Sequence, residues 1–256
     1  MKTKTNQLKL AFHQKDSIEE RLHLLKDKYK NETAYIVTCG PSLSKHNIDL
    51  LKSKLKDKLV ISIKQAYNLL REETDFHILN TYNLSSYKWN PNSIVYWSVS
   101  KSYTDEQLNR IVNMGAPIDL FIPVINPPYL TRLQTTQSTC NFDDFYMMQT
   151  HTEVKWGCGM MYEIALPLVL LLGCKKIVTI GWDLGDPKIS TTKWDHFYNK
   201  SEGKTTVPMK GEIEEKLAST DKLYDWLISK EIDLRILSDQ SFISNKFPRI
   251  TLKDIK

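Results

Sequence analysis

Seven short runs rich in β-branched and aromatic residues recur along this chain, at 34–38, 59–63, 76–80, 94–98, 119–122, 176–180 and 234–237. Most read as continuous apolar stretches, the pattern of strands covered on both faces. Segments with helical spacing lie between several of them. Strand–helix alternation of this kind leads to an α/β fold with a mostly parallel, Rossmann-like sheet flanked by helices. The spacing predicts helices over 17–29, 44–54, 104–114, 160–172 and 212–230. Ser17 and Glu20 form a capping-box pattern ahead of the stripe Ile18, Leu22, Leu25 and Tyr29. The segment 160–172 is almost wholly apolar and is expected to be buried, with Pro167 bending it and Gly173 ending it. Residues 1–15 read as a polar, basic tail. The chain divides into residues 1–30, tail and amphipathic helix, and 31–256, a single α/β domain.

At 256 residues with 41% hydrophobic and 25% charged side chains, the chain can bury a sizeable core and is not of disordered composition. A net charge of +5 is too mild to indicate nucleic acid as a partner. Cys39, Cys140, Cys158 and Cys174 make no CxxC and no zinc spacing, and reduced thiols in the cytoplasm are expected. The longest apolar run, 164–172, is too short to span a bilayer, so any membrane contact is expected to be peripheral, at the inner face. Self-association stays open.

Two stretches resist assignment, 123–157 and 184–211. The second follows a buried strand, at the edge where open α/β sheets place ligands, and reads as a lid. The residues that carry chemistry cluster around such strand ends. Gly40-Pro41-Ser42 follows the first strand, and a glycine turn feeding a helix start can receive an anion. It is neither a Walker A loop nor GxGxxG. Lys64-Gln65 follows the second strand and Asn80 the third. Cys158-Gly159 precedes the apolar helix and forms a second possible amide nest, or only a loop end. Asp183 ends the strand 176–180, as a ligand contact or as a turn aspartate. In Trp194-Asp195-His196-Phe197-Tyr198, a histidine between aromatics has the setting of a general base or of a surface residue.

In their order, these stations resemble the bacterial sialyltransferases that use CMP-activated sialic acid. The resemblance covers about 34–98 and 155–247. Gly40-Pro41-Ser42-Leu43 is similar to the family's nucleotide-meeting turn, with Cys39 where the family has asparagine. Lys64-Gln65 stands for its Asn-Gln, Cys158-Gly159 for its Ser-Gly, and Gly181-Trp182-Asp183 for its Gly-Ile-Asp. His196 and Tyr198 fall where its catalytic histidine lies. The stretch 223–238 resembles its C-terminal helix and strand, which makes Ser238 and Ser241 the candidates beside the cytidine.

The resemblance implies a sialyltransferase-like fold, a GT-A-type variant with a lid. It implies transfer of a nonulosonic acid from a CMP-sugar to a glycan hydroxyl on a surface polysaccharide, a lipooligosaccharide or a glycoprotein. No metal or cofactor is expected, since no DxD motif is present. His196 is the expected base and Asp183 its catalytic companion. The expected donor contacts are Gly40, Pro41, Ser42, Lys64, Gln65, Asn80, Cys158, Gly159, Tyr198, Ser238 and Ser241. A retaining mechanism would instead use a carboxylate from Asp183, Asp195, Glu153 or Glu163. The departures at Cys39, Lys64 and Cys158 bring in Kdo or pseudaminic acid as donor sugars. Two readings of other classes stay open: a pterin pyrophosphokinase-like diphosphotransferase, and a non-catalytic nucleotide- or glycan-binding module.

Overall fold

The apolar runs pair into one eight-stranded sheet in the protein's computed structural model, which describes residues 2–80, 87–100, 104–125, 134, 137, 141–143, 154–155, 159–184, 196–198, 211–238 and 240–256. Its strands are β1 (Thr33–Val37), β2 (Leu59–Ile63), β3 (Phe76–Asn80), β4 (Ile94–Ser100), β5 (Leu120–Ile125), β6 (Val154–Lys155), β7 (Lys176–Ile180) and β8 (Asp233–Leu237). Every neighbouring pair is parallel, in the order β6-β5-β4-β3-β2-β1-β7-β8. Helices cover both faces, so the fold is the Rossmann-like α/β architecture expected. Successive strands step outward from β1 to β6, and the chain then returns to place β7 on β1's other side. The seam between β1 and β7 is therefore the point where strand order reverses, and its carboxyl edge is where such sheets leave a crevice.

One face of the sheet carries Ala34, Ile36, Ile61, Phe76, Ile78, Ile94, Tyr96, Leu120, Ile177 and Leu234, all buried under helices. These are α1 (Lys2–Phe12), α2 (Ile18–Leu25), the segment ending in α6 (Leu166–Leu171), and α7 (Glu212–Ser229). The other face packs against α3 (Ile48–Leu55) and α4 (Ala66–Leu69), through Val37, Leu43, Leu51, Leu55, Val60 and Ala66. The helix α5 (Thr104–Asn113) buries Ile111 among Trp97, Val95 and Val99 on that same face. Among the described residues no helix is long and apolar enough to cross a membrane.

Three local expectations change. Residues 2–12 are a helix, not a tail: Leu8 and Phe12 are buried, and Thr5 bonds Tyr29 Oη at 2.8 Å and Asp75 Oδ1 at 2.6 Å. Lys2 and Lys9 reach Asp75 and Asp119 at 3.0 and 3.1 Å, so the basic residues clamp the amino edge of the sheet. The helix expected over 44–54 divides. A 3-10 turn, Pro41–Lys45, precedes α3, whose true cap is Asn47, accepting from Leu50 N at 3.0 Å. The apolar helix opens with a π turn, Met161–Ala165, closed by Leu166 N to Met161 O. Pro167 has no N–H to give to the carbonyl of Glu163 and its ring crowds that carbonyl, so the turn before it widens. The capping box Ser17–Glu20 forms as read.

Candidate active site

The seam at the carboxyl edge of β1 and β7 is drawn tight. Gly40 N donates to Gly181 O at 2.8 Å, and a Cβ on Gly40 would lie 2.2 Å from that oxygen and 2.5 Å from Asp183 Oδ2. Asp183 is buried and accepts from Ser42 N at 2.7 Å and from Ser42 Oγ at 2.6 Å. The anion expected at this turn is thus supplied by the chain itself. Gly40 N is spent on Gly181, Pro41 has no N–H, and Ser42 N is taken by the carboxylate. The turn holds β1 to β7: both oxygens of Asp183 are engaged by Ser42, and the amides of Gly40 and Ser42, expected to meet a phosphate, are already bonded within the chain.

The residues after β7 gather the C-terminal segment to the same place. Phe242 N donates to Asp183 O at 2.9 Å, and Ser241 Oγ donates to Trp182 O at 2.7 Å. Ser238 is buried and accepts from Gln240 N at 3.1 Å. Arg249 Nη2 donates to Ile243 O at 2.6 Å, while its buried Nη1 has no hydrogen-bond partner.

At the end of β2 the backbone turns left-handed at Lys64, with φ of +50°. This conformation is uncommon for a residue with a long side chain and survives only where neighbours enforce it. Three bonds do so. Lys64 N donates to Ile78 O at 2.8 Å, and Lys64 O accepts from Tyr67 N at 3.1 Å and from His77 Nε2 at 3.2 Å. That last bond places the ring proton on Nε2. His77 is fully buried and stacked on Tyr67 with centroids 4.0 Å apart. Burial drives its pKa from 6.5 down to about 3. The folded state keeps His77 neutral while the unfolded chain protonates below pH 6.5. Stability present above that pH is therefore lost as pH falls towards 3, at about 1.4 kcal/mol per pH unit for one proton. Urea unfolding between pH 6 and 4 should show a slope shallower by about one proton in His77→Phe; equal slopes would remove His77 as the titrating group.

On the face of the sheet covered by α1 and α7, the carboxyl edge turns polar. Alternation puts Asn80 in line with Phe76 and Ile78, and Thr179 in line with Ile177. Asn80 pairs directly with Ser98 on β4. Asn80 Oδ1 and Thr179 Oγ1 are buried with no hydrogen-bond partner. Orphaned buried polar atoms are rare in folded proteins and call for a missing partner. Gln65 is buried beside this edge. Above it, Glu163 is buried in the π turn, with Gly159 N donating to its Oε1 at 3.2 Å. Gly159 has φ of +103°, with nothing among the described residues within 4 Å of its Cβ position. The start of α7 contributes Glu212 and Lys216, an ion pair at 2.9 Å, and Tyr162 Oη to Ser219 Oγ at 2.9 Å ties α7 to the π turn. Lys64 lies in the field of Cys39, Glu163 and Lys216, and burial pushes its ammonium below the usual lysine range. Cys39 donates to Ile63 O at 3.2 Å, and burial raises its thiol to about 11, so it is neutral.

His196 stands beside the end of β1. Phe197 N donates to Cys39 O at 3.0 Å, and the rings of Phe197 and Tyr198 pack on the apolar cluster around Leu43. His196 is half-buried and stacked on Tyr198 with centroids 4.9 Å apart. Cys158, Asp195 and Glu153 lie outside the described residues, as do 185–195 and 199–210 of the expected lid.

The structure thus brings Gly40, Ser42, Lys64, Gln65, Asn80, Asp183, His196, Tyr198, Ser238 and Ser241 to one edge. Sequence reasoning missed His77, Thr179, Glu212, Lys216 and Arg249. An i,i+4 Glu–Lys pair at a helix start looks like a solvated surface pair, and nothing local marks it as buried. A cavity of about 390 Å³ lies at the opposite, amino edge, lined by Thr33, Lys58, Lys176 and Arg235. None of its lining side chains carries a buried orphaned atom, and Arg235 is already paired with Asp233.

No family model matches this chain, and no curated protein matches it. Among solved structures it is similar to the structure of MAf glycosyltransferase from Magnetospirillum magneticum AMB-1, with a TM-score of 0.47 and 15% identity over 90% of this chain and 35% of that one. The chain therefore spans about a third of the length of that protein.

Proposed function

We propose that this protein is a glycosyltransferase that moves a nonulosonic acid from a CMP-sugar to a glycan hydroxyl, with His196 as general base. The observation that carries this reading is His196 held over the end of β1 by Phe197, at the reversal point of the sheet, with the orphaned oxygens of Asn80 and Thr179 at the same carboxyl edge. In the reaction, neutral His196 takes the proton of the acceptor hydroxyl as its oxygen attacks the anomeric carbon of the sugar. The bond from that carbon to the phosphate oxygen breaks, its electron pair stays with the phosphate, and CMP departs. The sugar is inverted. Asp183 holds the turn and takes no part in bond making. Sialic acid, Kdo and pseudaminic acid all fit a CMP donor, and the acceptor is a surface polysaccharide, a lipooligosaccharide or a glycoprotein. No metal ion or cofactor enters this scheme.

The test is CMP release from CMP-N-acetylneuraminate, CMP-Kdo and CMP-pseudaminate, each with and without a chelator. We expect release from at least one, unchanged by the chelator. Turnover of ATP alone, abolished by the chelator, would replace this reading with a diphosphotransferase. Nucleotide binding with no turnover would make the protein a binding module.

A further inference from the structure

We propose that Lys64 takes the phosphate of the bound nucleotide, the role that the Gly40 turn gives up to Asp183; this rests on the reading that a nucleotide-sugar binds at this edge. Four observations lead there. The turn that could have received a phosphate has no amide left, and a second anion beside Asp183 would meet its negative charge. Lys64 follows β2, the strand next to β1, and so stands at the same edge. Its backbone is held left-handed by three hydrogen bonds, one of them from a buried histidine stacked on Tyr67. Strained residues kept in place by their neighbours cluster at ligand sites.

The fourth observation is the ammonium itself. It is half-buried, in the field of both Glu163 and Lys216, yet it makes no ion pair within 4 Å among the described residues. Buried charges are ordinarily paired, because desolvation without a partner is costly. Glu212 already neutralises Lys216 at 2.9 Å, and Gly159 N already donates to Glu163. Neither carboxylate comes within ion-pair distance of Lys64, which leaves its ammonium open to an anion from outside. The orphaned oxygen of Asn80, at the end of the strand next to β2, lies at the same carboxyl edge. A phosphate ester supplies a full negative charge and several acceptor oxygens for such an ammonium.

Lys64→Met keeps the length and apolar stem and removes the charge. Its binding of CMP, of cytidine and of free N-acetylneuraminate is compared with wild type by calorimetry, and the ligand-free melting temperature is recorded. We expect CMP to bind about 10–100-fold more weakly, as for the loss of one charge-assisted contact, with cytidine unchanged. We also expect the ligand-free variant to melt no lower than wild type, since a half-buried charge with no ion pair among the described residues has gone. A side chain that merely held the fold would give the opposite sign. Unchanged CMP affinity overturns the proposal. So does an equal loss for cytidine, or a loss confined to the sugar acid. Lys64→Gln is the second variant; failure of both to fold would make the residue structural and end the proposal. If the wild type binds ATP or inorganic phosphate through Lys64 and ignores CMP, Lys64 keeps its role and the CMP-sugar reading falls.

Discussion

His196→Ala should lower turnover by about 10²–10⁴-fold, the usual contribution of a positioned general base. Donor affinity should change little, because in the proposed reaction the imidazole meets the acceptor hydroxyl and not the cytidine. The fold should also be kept. The link that anchors this segment is the backbone bond from Phe197 N to Cys39 O, and the rings that fill the apolar cluster are those of Phe197 and Tyr198. Alanine at 196 removes none of these; it removes only the stack of His196 on Tyr198. The measurement is steady-state release of CMP, with circular dichroism and a CMP titration on the same preparation. Turnover within a few-fold of wild type would exclude His196. The role would then pass to a carboxylate at this edge.

The strands were legible because parallel strands buried on both faces leave continuous β-branched runs, and β2, β3 and β7 fall where those runs lie. The first helix was not legible. Its sequence KTKTNQLKLAF has little apolar periodicity, and what holds it is tertiary: Thr5 and Lys2 meet Asp75, and Lys9 meets Asp119, 70 to more than 100 residues away in the chain. The two-residue strand β6 carries too few residues to show a pattern. At the site, the order of the polar stations along the strand ends could be read, since an α/β topology brings successive carboxyl ends to one edge. Their division of labour could not. Ser42 and Asp183 are 141 residues apart, and no local rule pairs them. Lysine is not a residue from which a left-handed backbone is inferred, so the turn at Lys64 was invisible until His77 and Ile78 were seen to enforce it.

Gly40→Ala tests that division of labour from the side of the fold. Read in the sequence, Gly40 is a glycine that lets backbone approach a phosphate, and its replacement should weaken donor binding in an otherwise intact protein. The geometry leads to a different result. Gly40 has φ of −66° and ψ of 157°, which alanine adopts without strain, so the whole effect is steric. The added Cβ would stand 2.2 Å from Gly181 O and 2.5 Å from Asp183 Oδ2. Neither neighbour can yield cheaply: one is backbone bonded to Gly40 N, and the other is a carboxylate fixed by two bonds from Ser42. Relief requires parting the ends of β1 and β7, which breaks those bonds together. We expect a loss of about 3 kcal/mol or more, at the upper end for overpacking, and a melting temperature lower by about 6–12 °C for a domain of this size. The loss should appear with no ligand present. Gly115→Ala is the matched control, with φ of +62° and nothing within 4 Å of its Cβ. It bears only the backbone penalty of about 1–2 kcal/mol. If Gly40→Ala melts no lower than Gly115→Ala but binds CMP poorly, the turn does meet the nucleotide, and the assignment of its amides to Asp183 is wrong.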